Sequence, residues 1–203
     1  MRVALFDYGI GNLHSLEKAL ELHGADVRID ADPRAVLDAD ALVLPGVGAF
    51  GAAAAQLAAA RSDIVAALEA GLPCLGICLG MQLLFRDSDE SPGDGLGFIS
   101  GRVRRLAALR TPQMGWNDVE VANGTAARDP LFEGTDGPVV YYANTYVPAP
   151  GPDEQVIGWS TYEGDRFAAA VRKKNVWGVQ FHPEKSADDG LRIIGNFLAQ
   201  VSR

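Results

Sequence analysis

The sequence predicts an α/β protein: a mostly parallel central sheet flanked by helices, with an added antiparallel portion. Three observations carry this. Strand and helix signals alternate through the first half, which implies right-handed crossovers between parallel strands. The apolar run Leu72–Ile77 reads as a strand buried on both faces. The second half changes to short strand candidates between turn residues, the pattern of antiparallel pairing.

Taken in order, Arg2–Phe6 reads as a strand and Asn12–His23 as an amphipathic helix, with Asn12 as N-cap and Gly24 as its C-terminal stop. Ala25–Asp30 and Ala41–Leu44 are short strands, the second broken by Pro45-Gly46. Two Ala-rich helices follow near Gly51–Ala60 and Ser62–Ala70, then the strand Leu72–Ile77 and a helix Leu79–Phe85 that starts at a cysteine. The polar, glycine-containing segment Asp87–Gly97 reads as a mobile loop close to that cysteine. Val103–Leu106, Asn117–Val121, Val139–Tyr146, Gln155–Tyr162, Phe167–Val171 and Val176–Phe181 are strand candidates for an antiparallel portion on one edge or face of the sheet. Asp188–Val201 closes the chain as an amphipathic helix through Leu191, Ile194, Phe197, Leu198 and Val201. No repeat, low-complexity tract or linker stands out, so one domain over residues 1–203 is expected.

The 203 residues suffice for one domain with a substantial core, and 48% hydrophobic and 22% charged residues are ordinary for a soluble chain. A net charge of −8 argues against sequence-independent nucleic-acid binding, which needs a basic footprint. No apolar run approaches the ~20 residues of a membrane helix, and the start, a strand and a polar turn, has no signal-peptide pattern. The only cysteines, Cys74 and Cys78, are too close for a useful staple and form no C-x-x-C pair. The expectation is a reduced, cytoplasmic chain. Cys and His are too sparse for a zinc set, and no cofactor is called for.

The chemistry is concentrated in two motifs about a hundred residues apart. Gly76-Ile77-Cys78-Leu79-Gly80 places a cysteine on a sharp strand-to-helix turn, the design of a nucleophile elbow, where flanking glycines are read as letting the backbone bend. Phe181-His182-Pro183-Glu184 supplies a base and its orienter. In an extended segment residues two apart share a side, so Glu184 reaches His182, and Pro183 stiffens the link. Thiol, imidazole and carboxylate make a nucleophilic triad. Cys78 at a helix N-terminus lies where anions are favoured. The backbone N–H of Leu79 is one candidate oxyanion donor, and the glycine-rich loop Pro45–Phe50 would supply the other. That loop lacks the lysine and spacing of a nucleotide P-loop. A lone cysteine after a strand is most often a small buried hydrophobe, which fits Cys74, and His14 and His23 read as surface or satisfied histidines. The elbow and triad alone do not specify the bond attacked, so a cysteine peptidase fits them too.

These residues resemble the triad-type (class I) glutamine amidotransferase family, through Gly-Ile-Cys-Leu-Gly-Met-Gln at 76–82 and Gly-Val-Gln-Phe-His-Pro-Glu-Lys-Ser at 178–186. The resemblance runs from the first strand to the last helix and implies a flavodoxin-like fold. It implies that Cys78 attacks the carboxamide of L-glutamine, with His182 as acid/base and Glu184 orienting it. Gly48 and Leu79 fall where the family's oxyanion donors are expected. Gln82 matches a residue that holds the amino-acid end of glutamine, and Glu90, Asn144, Thr145 and Tyr146 match other parts of that pocket. Asp7-Tyr8-Gly9-Ile10-Gly11-Asn12, the loop Pro45–Phe50 and Met114-Gly115-Trp116-Asn117 point to a member that hands ammonia to a separate (β/α)8-barrel cyclase subunit. Asn12, Trp116, Asn117, Tyr141 and Lys185 match positions expected at that interface. Two residues depart from the pattern: Gln113 and Asn144 stand where histidine is common. The alternatives are a glutaminase serving another synthase, such as those for anthranilate or pyridoxal phosphate, and a non-catalytic subunit that only stabilises its partner.

Overall fold

The computed structural model describes residues 1–9, 13–122, 129–151 and 156–202. In chain order its elements are β1 (Arg2–Phe6), α1 (His14–Glu21), β2 (Asp26–Asp30), β3 (Ala41–Leu44), α2 (Phe50–Leu57), α3 (Arg61–Ala70), β4 (Cys74–Ile77) and α4 (Leu79–Leu83). Then come β5 (Gly101–Arg105), β6 (Gln113–Asp118), β7 (Glu120–Val121), β8 (Val139–Asn144), β9 (Tyr146–Pro150), β10 (Val156–Tyr162), β11 (Asp165–Lys173), β12 (Val176–Val179) and α5 (Ala187–Val201).

One eight-stranded sheet runs β2-β1-β3-β4-β12-β11-β10-β7. The pairings from β2 to β12 are parallel, and those from β12 to β7 are antiparallel. β3, β4 and β12 are buried at every residue, which is why they read as unbroken apolar runs rather than alternating ones. Side chains of β1 still sort by the period of two. Val3 and Leu5 face Leu20, Ile194 and Phe197 of α1 and α5, whereas Ala4 and Phe6 face the layer holding Phe50, Leu57, Ile64 and Leu68 of α2 and α3.

The antiparallel portion extends the edge beyond β12 and adds two ribbons, β5–β9 and β6–β8. A forked ion pair from Arg104 to Asp165, both contacts 2.7 Å, ties β5 to β11, and the hydrogen bond from Arg104 holds the Asp165 carboxyl below the usual carboxylate range. Two predicted strands each divide. The run 139–146 breaks at Thr145 because β8 pairs with β6 while β9 pairs with β5. The run 117–121 breaks at buried Val119, where β6 leaves β8 and β7 joins β10. The first helix starts at His14 rather than 12; the Asn12 cap and Gln155 lie outside the described residues. α4 stops at Leu83 instead of Phe85, because Leu84 and Phe85 donate three residues back, to Met81 and Gln82, and tighten the last turn. No helix among the described residues is long and apolar enough to cross a membrane.

The glycines around Cys78 serve close packing rather than bending. A Cβ at Gly80 would lie 2.0 Å from the carbonyl oxygen of Leu44 in β3, and one at Gly76 would lie 2.7 Å from Gly80. The turn is made by Cys78 itself, at φ +47. Gly80→Ala is therefore expected to destabilise the fold by roughly 1–3 kcal/mol through overpacking against backbone that cannot yield. Urea unfolding checks this, and an unchanged midpoint would refute it.

Candidate active site

β3, β4 and β12 are neighbours and parallel, so they end side by side. From those ends the chain leaves as the glycine-rich loop 45–49, the turn at Cys78 and the segment 180–182. Open α/β sheets place ligands outside the carboxyl ends of their strands. Three segments far apart in sequence are thereby delivered to one edge.

Cys78 holds φ +47 and ψ −102, an uncommon backbone state for a side-chain-bearing residue, and its N–H donates to Val179 O at 2.7 Å. That bond carries the β4–β12 pairing one residue past the strand and anchors the strained turn. Gly46 presses against the same point: a Cβ there would lie 2.9 Å from His182 Cε1 and 3.0 Å from Cys78 Cβ. Cys74, four residues earlier, is fully buried in β4, and burial pushes its thiol well up, which keeps it unreactive.

His182 is buried and gripped at both ends of its peptide. Its N–H donates to Tyr141 O at 2.8 Å, and its carbonyl accepts from Ser186 Oγ at 2.6 Å. Ser186 Oγ in turn accepts from Tyr141 N at 2.9 Å. The ring Nδ1 donates to Glu184 Oε1 at 2.8 Å. The contact expected from an extended His-x-Glu segment thus forms, but through a 3-10 turn at Pro183–Lys185, where Lys185 N returns to His182 O at 3.0 Å. Pro183 suits that turn's first position, having a fixed φ and no N–H to satisfy.

Burial alone would push the His182 pKa down. The charge and hydrogen bond of Cys78, and after them those of Glu184, outweigh it and push the value up to about 10. Its Nδ1 is taken by Glu184, so Nε2 is the ring nitrogen left for the sulfur. Since the folded value lies above the ordinary 6.5, the charged imidazole contributes stability fully below that pH and loses it as pH rises through about 10. The arrangement is a thiol–imidazole pair backed by a carboxylate.

A cavity of about 310 Å³ opens over these groups. Cys78, His182, Gly48 and Leu79 line it together with Gln82, Glu90, Asn144, Thr145, Tyr146 and Lys185. Every residue expected in the triad, oxyanion site and substrate pocket except Glu184 therefore borders one cavity; Glu184 stands behind His182. Glu90 has a second task. Its Oε2 accepts from Phe50 N at 2.7 Å while Ser91 Oγ accepts from Gly51 N at 2.9 Å. Together they cap α2, whose N-cap Ala49 has no side-chain oxygen of its own.

The expected interface residues separate. Met114 and Trp116 are exposed on the outer face of β6, with Trp116 edge-on to Tyr141 at 6.2 Å and Lys185 Nζ over the Tyr141 ring at 5.9 Å. Asn117 points the other way, donating to Thr161 O at 3.0 Å. The period of two along β6 already places it opposite Trp116. Asn12 lies outside the described residues. The two departures, Gln113 and Asn144, face each other directly across β6 and β8. Both are buried, with their side-chain oxygens unpartnered among the described residues.

A more open hollow of about 770 Å³ lies along Arg61, Arg86 and Arg102, but these arginines are paired with Asp94, Asp87 and Asp89, and among the described residues no Cys or His lines it. Among the described residues no group of three His, Cys, Asp or Glu is placed to hold a metal ion.

Comparison with known proteins matches residues 4–201 to the family described as "Glutamine amidotransferase class-I". Imidazole glycerol phosphate synthase subunit HisH of Pyrococcus furiosus is 43% identical over 198 residues, covering 97% of this chain and 97% of that protein. The subunit of the same name from Bacillus cereus is 44% identical over 206 residues, covering 98% and 95%. Among solved structures, PurLQS from Thermotoga maritima superposes with a TM-score of 0.77 at 21% identity, covering 98% of each chain, and shares the fold.

Removing the sulfur with Cys78→Ala should lower the titration of His182 by at least roughly one pH unit, because burial then acts against a ring that has lost its first charge partner. Imidazole NMR titration reads this directly. A midpoint unchanged from about 10 would show that Cys78 is not what holds the proton there.

Proposed function

The chain belongs to the class-I glutamine amidotransferase family, and from that premise we propose that Cys78, His182 and Glu184 hydrolyse L-glutamine for a separate cyclase subunit. Its function is that of the glutaminase subunit of an imidazole glycerol phosphate synthase, in histidine biosynthesis. The carrying observation is the convergence of the three residues on one cavity of about 310 Å³, near the lower limit of ligand pockets (~300–1,000 Å³), which suits a single amino acid better than a peptide chain.

The Cys78 thiolate attacks the side-chain carboxamide carbon of glutamine. Negative charge gathers on the amide oxygen, where backbone N–H groups of Gly48 and Leu79 stabilise it. The His182 imidazolium gives its proton to the departing nitrogen, ammonia leaves, and a glutamyl thioester remains. The neutral imidazole then takes a proton from water, whose oxygen displaces the sulfur and frees glutamate. Glu184 keeps the ring turned and its positive charge matched throughout. Gln82 holds the amino-acid end of the substrate, and Glu90 and the turn 144–146 form other parts of its pocket.

The ammonia passes to a (β/α)8-barrel cyclase subunit, which joins it to a phosphoribulosyl-formimino aminoimidazole carboxamide nucleotide. The products are imidazole glycerol phosphate and an aminoimidazole carboxamide ribonucleotide. In neutral water ammonia is largely protonated and non-nucleophilic, so the two subunits act as a cytoplasmic heterodimer with a sealed route between them. Met114, Trp116, Tyr141 and Lys185 form the docking face, beside the cavity mouth where Lys185 also lies.

Glutamate release measured alone, then with the cyclase and its nucleotide, tests this reading. Stimulation of at least about tenfold, ~1.4 kcal/mol of barrier, is expected, and none with Cys78→Ala. Equal turnover with and without the cyclase would remove the coupled role. For the docking face, Trp116→Ala should weaken cyclase binding roughly tenfold or more, as loss of a central aromatic anchor does, readable by calorimetry. An unchanged Kd would place the interface elsewhere.

A further inference from the structure

Besides His182, one more side chain reaches the sulfur. Gln180 follows β12 and is wholly buried, and its Nε2 donates to Cys78 Sγ at 3.3 Å. Its Oε1 accepts from Gln82 Nε2 at 3.1 Å. The same Gln82 nitrogen also donates to the backbone carbonyl of Tyr146 at 3.0 Å.

These contacts run in one direction, and the direction is forced. The Tyr146 carbonyl can only accept, so Gln82 must turn its NH2 inward. Gln180 must then offer its oxygen to Gln82, which leaves its own NH2 for the sulfur. One backbone carbonyl, that of Tyr146, thus settles both amide orientations. We propose that Gln180 is a catalytic donor: its side-chain amide hydrogen-bonds the Cys78 thiolate, and Gln82 and Tyr146 hold it in that orientation.

A hydrogen bond to a neutral thiol is weak, whereas one to a sulfur anion is charge-assisted. The contact therefore favours the anion over the neutral thiol, and burial strengthens it. A glutamine kept only for packing would leave its polar ends orphaned in a dry interior. Gln180 has a partner at each end, and one of them is the reacting atom.

The inference rests on Cys78 being the nucleophile of the proposed reaction, but its test needs no glutamine. Iodoacetamide alkylation of Cys78 in the full chain, followed across pH with Cys78→Ala as blank, reads the thiolate itself. Gln180→Met keeps length and volume but loses the donor, and the acid limb of the profile should move up by roughly one pH unit or more, the scale of one bond to a charged group. Gln180→Glu should move it further, because a carboxylate also repels the sulfur anion. Profiles superimposable on the parent in both folded variants overturn the proposal, as does an equal shift in the two, which packing damage alone would give. Should either variant fail to fold, the unaltered chain decides: with glutamine side-chain amides labelled with 15N, a buried pair must shift on alkylation of Cys78, and no response refutes the contact. Normal alkylation behaviour without glutamine turnover would count against the proposed reaction and leave the Gln180 contact standing.

Discussion

The site depends on how tightly the turn at Cys78 is pressed into the sheet. β4 cannot pass into α4 at that distance from β3 unless positions 76 and 80 carry no side chain, since a Cβ at Gly80 would sit 2.0 Å from the Leu44 carbonyl. With the glycines spent on contact, the sharp change of direction falls on Cys78. Its positive φ persists because the bond from its N–H to Val179 and the packing around it over-determine the turn. The sulfur is thus held at a spot reached from β3, β4 and β12 at once. A looser turn would lose the loop, the base and the amide donor together.

Burial sets the second condition. An isolated buried imidazole would be neutral and an isolated buried carboxylate would be protonated. Here the imidazole is flanked by Cys78 on one side and the Glu184 carboxylate on the other, so the ring keeps its proton far above the ordinary histidine range. The second oxygen of Glu184 is buried and unpartnered among the described residues, which marks the outer end of the chain of charges as its least satisfied member. At the inner end Gln180 adds a neutral dipole that can favour the anion without a further charge to bury.

How far this was legible in the sequence depended on whether a local signal survived folding. Strands buried on both faces keep an apolar run intact, so 41–44 and 72–77 announced the parallel half and the order of the site's segments. The antiparallel half was harder because one apolar run serves two partners there. Nothing local marks Thr145 as the place where β8 leaves β6 and β9 takes up β5. His182 and Glu184 were legible as a pair, yet their contact runs through a 3-10 turn that an alternation argument does not describe. Gln180 stood inside the quoted motif without a role, since only the fold shows the sulfur within its reach. The orientation of Asn117 could have been found: alternation from buried Gln113 puts it on the inward face, away from Trp116.

That alternation also explains how an outer face and a buried base can share one strand. Along β8, Tyr142 turns into the core against Phe167 and Phe181, while Tyr141 turns out beneath Trp116 and Lys185. The backbone of Tyr141 meanwhile has both polar groups committed, its carbonyl to His182 N and its N–H to Ser186 Oγ. Ser186 closes the ring by donating to the His182 carbonyl. A displacement of the Tyr141 side chain large enough to move its peptide must therefore move His182 or break these two hydrogen bonds, each costing up to about 1–3 kcal/mol if left unmade. Small motions at the exposed face stay in side chains; larger ones reach the imidazole. The base is held by the strand that carries the surface as well as by its own turn.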